Sequence, residues 1–178
     1  MPVDLQDAKP AALLCAVMAA DAAHIQEATA ALIERWGPLR GAGPLYPFDQ
    51  SVYYRREMGE GLHKQLLCFA DKVDPALLPR AKTWTMDLER RLGVEEASGL
   101  RRRANIDPGL LSIESLVLAT TKYKGHRVCI APSLYAEVTL LYQKGAYQPF
   151  EWTYPDYRRE DNLAFLQEMR DWLMATRE

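Results

Sequence analysis

Residues 11–20 (AALLCAVMAA) form an apolar run with no alternation, the pattern of a central strand covered on both faces. Asp21 then supplies an N-cap. Ile25, Ala28, Leu32 and Trp36 recur at helical spacing until Gly37-Pro38 stops the helix. A strand is predicted at residues 39–46, weakened by Gly41, Gly43 and Pro44. Residues 63–69 (HKQLLCF) restore an apolar strand. Asp74-Pro75 opens a second helix, with Leu77, Ala81, Trp84, Leu88 and Leu92 at helical spacing up to Gly93. Pro79 would cost about 3 kcal/mol inside a helix, so the first turn is predicted to be separate or kinked. Residues 101–107 are predicted as the next strand.

The order β-α-β-β-α-β is that of a split βαβ, so the expected fold class is α+β with a ferredoxin-like core. Appended to it are a short helix, antiparallel hairpins and a C-terminal helix. Asp107-Pro108-Gly109 reads as a turn, and Ser112 as the cap of a helix running to about Thr121. Residues 127–131 and 135–143 are predicted strands around Pro132-Ser133-Leu134, and Lys144-Gly145 turns into residues 146–151. Leu163, Leu166, Met169 and Leu173 mark a terminal helix at residues 161–175. No repeat or linker divides the chain, so residues 1–178 are expected to form one domain.

Composition narrows the function classes. With 22 basic against 24 acidic residues the net charge is −2, so no global cationic field draws in nucleic acid or anionic lipid. The basic cluster at Arg90, Arg91 and residues 101–103 is diluted by Glu89, Glu95 and Glu96, which favours a solvated face over an RNA site. Cys15, Cys68 and Cys129 form no C-x-x-C and sit among apolar neighbours, as small core thiols in a reducing cytoplasm do. The first apolar run is preceded by Asp4, Asp7 and Lys9, a net acidic rather than basic segment, and is too short to span a bilayer. There is no P-loop, no dinucleotide fingerprint, no G-x-S-x-G elbow and no zinc-ligand spacing among the three histidines.

Candidate chemistry gathers in the C-terminal half. If Ala131 pairs with Tyr135, Cys129 lies opposite Glu137, and Arg127 and Glu137 become diagonal neighbours on a face shared with Thr139. If Gln143 also pairs with Ala146 across Lys144-Gly145, Trp152 lies opposite Glu137 at the edge, and Val128, Ile130, Val138 and Leu140 face the core. Arg127–Glu137 then reads either as an ordinary cross-strand ion pair or as part of a site. Thr120, Thr121, Lys122, His126 and Arg127 bring hydroxyls, an ammonium, an imidazole and a guanidinium together within eight residues, the groups that recognise phosphate. The same lysine also suits the end of a helix. His126 is placed to act as a general acid, with Glu137 as its partner. Asp107, Glu137 and Asp156 are candidate ligands for Mg²⁺, although Asp107 also suits a turn. In residues 152–158 (WTYPDYR), Trp152 or Tyr154 would stack a base and Arg158 would hold its phosphate, unless the segment is an aromatic corner.

Seven ordered blocks carry a resemblance: Pro47-Phe48-Asp49, Tyr53-Tyr54 with Glu57-Met58-Gly59, residues 105–109, 117–122, His126-Arg127, residues 135–140 and 152–158. Together they resemble the DUF4416 family, bacterial small proteins without an assigned function, over nearly the whole chain. Some members carry the label "GTP-binding protein", which implies nucleotide binding by a mode other than a P-loop. The resemblance implies a polar amide where this chain has Met86.

Three readings follow. The first is a cytoplasmic protein that binds a phosphate-bearing small molecule or nucleotide through Lys122, Arg127 and Arg158. The second is a metal-dependent phosphoester hydrolase or transferase using His126 and Glu137. The third is a non-catalytic interaction module or homodimer, presenting Tyr53, Tyr54 and Met58 from residues 47–61.

Overall fold

The apolar run is strand β1 (Ala11–Ala19), and all nine of its residues are buried. The structure, a computed structural model, describes residues 3–49, 54, 57–97 and 99–176. Asp21 caps helix α1 (Ala22–Trp36) by accepting the Ala23 N–H at 2.8 Å. At its other end Gly37, at φ 86°, takes the left-handed backbone that ends the helix. The weak strand expected at residues 39–46 is broken into β2 (Leu39–Ala42) and β3 (Tyr46–Pro47), both laid against β4 (His63–Val73). Asp74 caps a 3₁₀ turn, Pro75–Leu77, and α2 (Leu78–Leu92) follows with Pro79 in its first turn, where no N–H bond is lost.

Beyond α2 the expected strand at residues 101–107 is displaced. β5 (Val94–Glu96) and β6 (Gly99–Arg101) pair as a separate ribbon, and the central strand β7 begins at Asn105 and runs to Leu111. Asp107-Pro108-Gly109 is therefore not a turn. Its three residues face Ala16, Cys15 and Leu14 of β1. Pairing with β8 (Ser115–Thr120) starts only at Gly109, so Pro108 lies where β7 has no β8 partner. Residues 112–121 are not a helix. Ser112 Oγ does accept the Glu114 and Ser115 N–H groups, but these cap the tight turn between β7 and β8. Helix caps and turns share that hydrogen bond, so the serine alone does not separate them.

Three strands complete the sheet: β9 (Val128–Ala131), β10 (Leu134–Gln143) and β11 (Ala146–Pro149). Lys144 and Gly145, both at positive φ, form the predicted turn. The other hairpin is corrected by a slip. Ala131 faces Leu134, Cys129 faces Tyr135, and Glu137 pairs with Leu118 of β8 instead. Glu137 and Thr139 are accordingly buried (3% and 0% exposed) and Val128 and Val138 exposed (68% and 40%). Leu140, beyond an irregularity after Val138, faces the core as expected. Trp152 lies beyond the end of β11, in a turn from which its Nε1 donates to the Val138 carbonyl at 3.0 Å. Cys129 is exposed rather than buried, while Cys15 and Cys68 are core thiols, the latter pushed up to about 12 by its burial.

The result is a mixed α+β architecture. The main sheet runs β11-β10-β8-β7-β1-β4-β2 with every pairing antiparallel, and β3 and β9 add to β4 and β10. Helices α1 and α2 bury Ile25, Leu32, Ala81 and Leu88 against Leu13, Val17 and Leu67 on one face. The C-terminal helix α3 (Glu160–Ala175) sets Phe165, Leu166 and Met169 on the other, against Leu14, Leu66 and Leu118. Among the described residues no helix is long and apolar enough to cross a membrane.

Candidate functional site

Where β7 parts from β8, the sheet leaves a cavity of about 330 Å³. Residues 105 and 107 line it from β7 and residues 118–120 from β8. Lys82, Met86 and Glu89 of α2 close one side, and Asp156 and Tyr157 of the 3₁₀ turn Pro155–Arg158 close another. Burial separates its depths. Lys64, Lys82, Glu89, Asp156 and Tyr157 are each at most 7% exposed, whereas Thr121 and Lys122 are exposed and Tyr154 is 50% exposed at the rim.

Among the described residues five basic and five acidic side chains line this space, so together they give strong local fields and little net charge. Lys64 Nζ lies 2.6 Å from Asp156 Oδ2, which also accepts from the Tyr46 hydroxyl at 3.0 Å. Lys82 Nζ lies 2.9 Å from Asp107 Oδ1, and Asn105 Nδ2 donates to Asp107 Oδ2 at 2.8 Å. Arg102 bonds Glu57, Glu89 Oε2 at 3.2 Å and Asn105 Oδ1 at 3.1 Å. Glu89 Oε1 accepts the Ile106 N–H at 2.6 Å. Burial pushes the Asp107 carboxyl up, but the Lys82 and Lys64 ammoniums outweigh it and leave it lowered to about 2. Burial likewise pulls Lys82 down, and Asp107 and Glu89 together hold it above its ordinary value. For Glu89 burial prevails, and its carboxyl titrates above the usual range. Asp107 and Lys82 are therefore fully charged at neutral pH.

Most of the polar residues picked out in the sequence meet here. Thr120, Thr121, Lys122, Arg127, Glu137, Tyr154, Asp107 and Asp156 all line the cavity. Arg127 and Glu137 do pair, Nε to Oε2 at 2.7 Å, although the register that brings them together is not the expected one. Three candidates do not line it. His126 Nε2 sits 2.9 Å from Glu137 Oε2, and its ring stacks on Trp152 at 4.6 Å, which in turn stacks on Phe150 at 4.7 Å. The Arg158 guanidinium is spent on the carbonyls of Phe150, Glu151 and Thr153. The Mg²⁺ candidates Asp107, Glu137 and Asp156 each bond a different cation. Among the described residues no three His, Cys, Asp or Glu side chains are grouped to hold a metal ion. Of the aromatic stretch at residues 47–61, Tyr53 falls outside the described residues, Tyr54 lines the cavity, and Met58 is buried with Met18 and Leu62.

Lys64 and Lys82 were not assigned to a site from sequence, and Asn105 stood only in a resemblance block. Glu89 and Arg102, expected on a solvated face, instead bond each other in the cavity wall, with Glu89 buried. One signal did point to three of the lining residues. Lys82, Met86 and Glu89 stand at i, i+4 and i+7, so two charges share a stripe that helical spacing aims at the protein interior.

A family model described as a domain of unknown function, DUF4416, matches residues 9–172. The chain belongs to the DUF4416 family. No curated protein and no solved structure matches it. The motif blocks that carry the DUF4416 resemblance include Thr120-Thr121-Lys122, Arg127, Glu137 and Asp156, all on the wall of one cavity. Met86, where the resemblance implies a polar amide, is also on that wall, so this DUF4416 member presents a thioether there.

Proposed function

We propose that the cavity binds a compact phosphate-bearing small molecule, with a nucleotide as the first candidate. The observation that carries this reading is the gathering of Thr120, Thr121 and Lys122 on the rim of a concave, mixed-polarity space that also receives Arg127. Hydroxyls, an ammonium and a guanidinium are the groups that take phosphate oxygens, and Tyr154 beside them offers a face for stacking. A volume of about 330 Å³ lies at the small end of ligand pockets, which favours a mononucleotide or sugar phosphate over a dinucleotide. Mg²⁺ would arrive with the phosphates, as it commonly does, since the carboxylates already hold cations.

The core is read as ferredoxin-like, and the order β7-β1-β4-β2 with α1 and α2 on one face supports it. A cytoplasmic location is favoured by the buried free thiols of Cys15 and Cys68. A catalytic reading, phosphoester hydrolysis or transfer, draws on the 2.9 Å contact between His126 Nε2 and Glu137 Oε2. It requires turnover of a phosphoester that collapses in His126→Ala while the fold survives.

A thermal-shift panel of nucleoside mono-, di- and triphosphates and sugar phosphates, with and without Mg²⁺, tests binding. Ligand at 100 times Kd adds about 2.7 kcal/mol, or roughly 5–10 °C for a chain of this size. A shift reduced in Lys122→Ala supports the reading. No shift with any compound at millimolar concentration overturns it.

A further inference from the structure

Among the described residues every cation of the inner wall is met by at least one carboxylate, and that decides which end of a ligand can lie there. Lys64 is matched by Asp156, Lys82 by Asp107, Arg127 by Glu137, and Arg102 by Glu57 and Glu89. A phosphate pushed among these pairs would shed its hydration and meet no net positive countercharge, which disfavours burying it there. A neutral polar group escapes that cost and needs only hydrogen-bond partners.

Such partners are present. An ammonium carries three N–H groups. Among the described residues Asp156 Oδ2 is the one oxygen that accepts from Lys64 Nζ. The rings of Phe48 and Tyr157 flank that ammonium at 5.2 and 4.8 Å, so they attract its charge without supplying an acceptor. Met18, Met86 and Tyr157 provide apolar wall for the carbon skeleton of a ring. The rim differs in kind, because Thr121 and Lys122 are exposed and a phosphate there keeps part of its water.

We infer that the ligand is a phosphomonoester bound phosphate-outward at Thr121 and Lys122, with a neutral hydrogen-bonding head directed inward to accept from Lys64. The head is a nucleobase or a sugar ring. This orientation rests on the phosphate reading proposed above and adds to it the polarity of the site.

Titration calorimetry on the full chain with paired probes separates the two. The pairs are each nucleoside 5′-monophosphate with its nucleoside and glucose 6-phosphate with glucose, with inorganic phosphate alone as a control. In the wild type at least one phosphorylated probe should bind ten-fold or more tighter than its dephosphorylated partner. That advantage should shrink with added salt and vanish in Lys122→Ala. The double variant Lys64→Met/Asp156→Asn removes the ion pair without stranding a buried charge, and should weaken both members of the pair ten-fold or more. Lys64→Arg, which keeps the charge but moves the donors, should do the same if the double variant does not fold. If phosphorylated probes bind through Lys122 but neither Lys64 variant weakens the dephosphorylated partner, the orientation is wrong and the phosphate reading stands. If no phosphorylated probe binds the wild type, both fall.

Discussion

Asp107 shows how burial and pairing compete at one carboxyl. Desolvation alone would raise it, yet the Lys82 and Lys64 ammoniums and the Asn105 amide hold it charged down to about pH 2. In the unfolded chain the same group titrates at its ordinary 3.8. The native state therefore binds its proton less tightly, and the stability this contributes is complete above about pH 4. It fades as pH falls from 3.8 toward 2 and is absent below. Asp107→Asn should accordingly cost on the order of 2 kcal/mol at neutral pH and progressively less in acid. Urea denaturation of both proteins from pH 7 to 2 reads this directly, and a difference that stays constant with pH would mean that the charge on Asp107 adds nothing. Glu89 acts in the opposite sense, since its raised carboxyl takes up a proton more readily in the folded state. Only the difference between wild type and variant isolates Asp107.

Strand β7 is the element on which both fold and cavity turn. A Cβ built on Gly109 would lie 2.6 Å from Leu118 Cδ2 and 2.8 Å from the Val117 carbonyl. The side chain can swing away, but the carbonyl belongs to the paired strand β8. Gly109→Ala should therefore destabilise by about 1–3 kcal/mol and also weaken any ligand, because it forces apart the strands that frame the cavity. An unaltered urea midpoint would show that β8 yields freely. Periodicity read α1, α2, α3 and β1 well, since each buries a continuous stripe or run. It misread β7 and β8 because Asp-Pro-Gly and a serine cap have the same local chemistry in a turn, a helix start or a strand beside an open edge. The slip between Leu134 and Tyr135 depends on tertiary pairing with β8 and left no mark in the sequence. The site divided in the same way. Thr120 through Arg127 could be seen as a polar cluster, whereas Lys64 and Lys82 are explained only by aspartates 92 and 25 positions away.

At the scale of the molecule, one sheet joins the two halves of the chain. β8, β10 and β11 continue the sheet begun by β1 and β4, with β7 as the shared strand. The ties across that seam are long-range: Tyr46 and Lys64 both bond Asp156, and Lys72 Nζ bonds the Thr176 carbonyl. Neither half can then lose its strands without exposing the core of the other, which predicts a single cooperative unfolding transition. Two tryptophan pairs make the test local. Trp36 of α1 and Trp84 of α2 meet edge to face at 5.8 Å, while Trp152 and Trp172 belong to the C-terminal part. Fluorescence of Trp36→Phe/Trp84→Phe and of Trp152→Phe/Trp172→Phe should give thermal midpoints that coincide with far-ultraviolet dichroism of the same variant. Its calorimetric and van't Hoff enthalpies should agree as well. A ligand lodged between β7 and β8 touches both halves, so it should raise the midpoints seen by both tryptophan pairs equally. Two separated transitions, or a ligand shift confined to one pair, would mean that the seam at β7 is weak enough for the halves to fold apart.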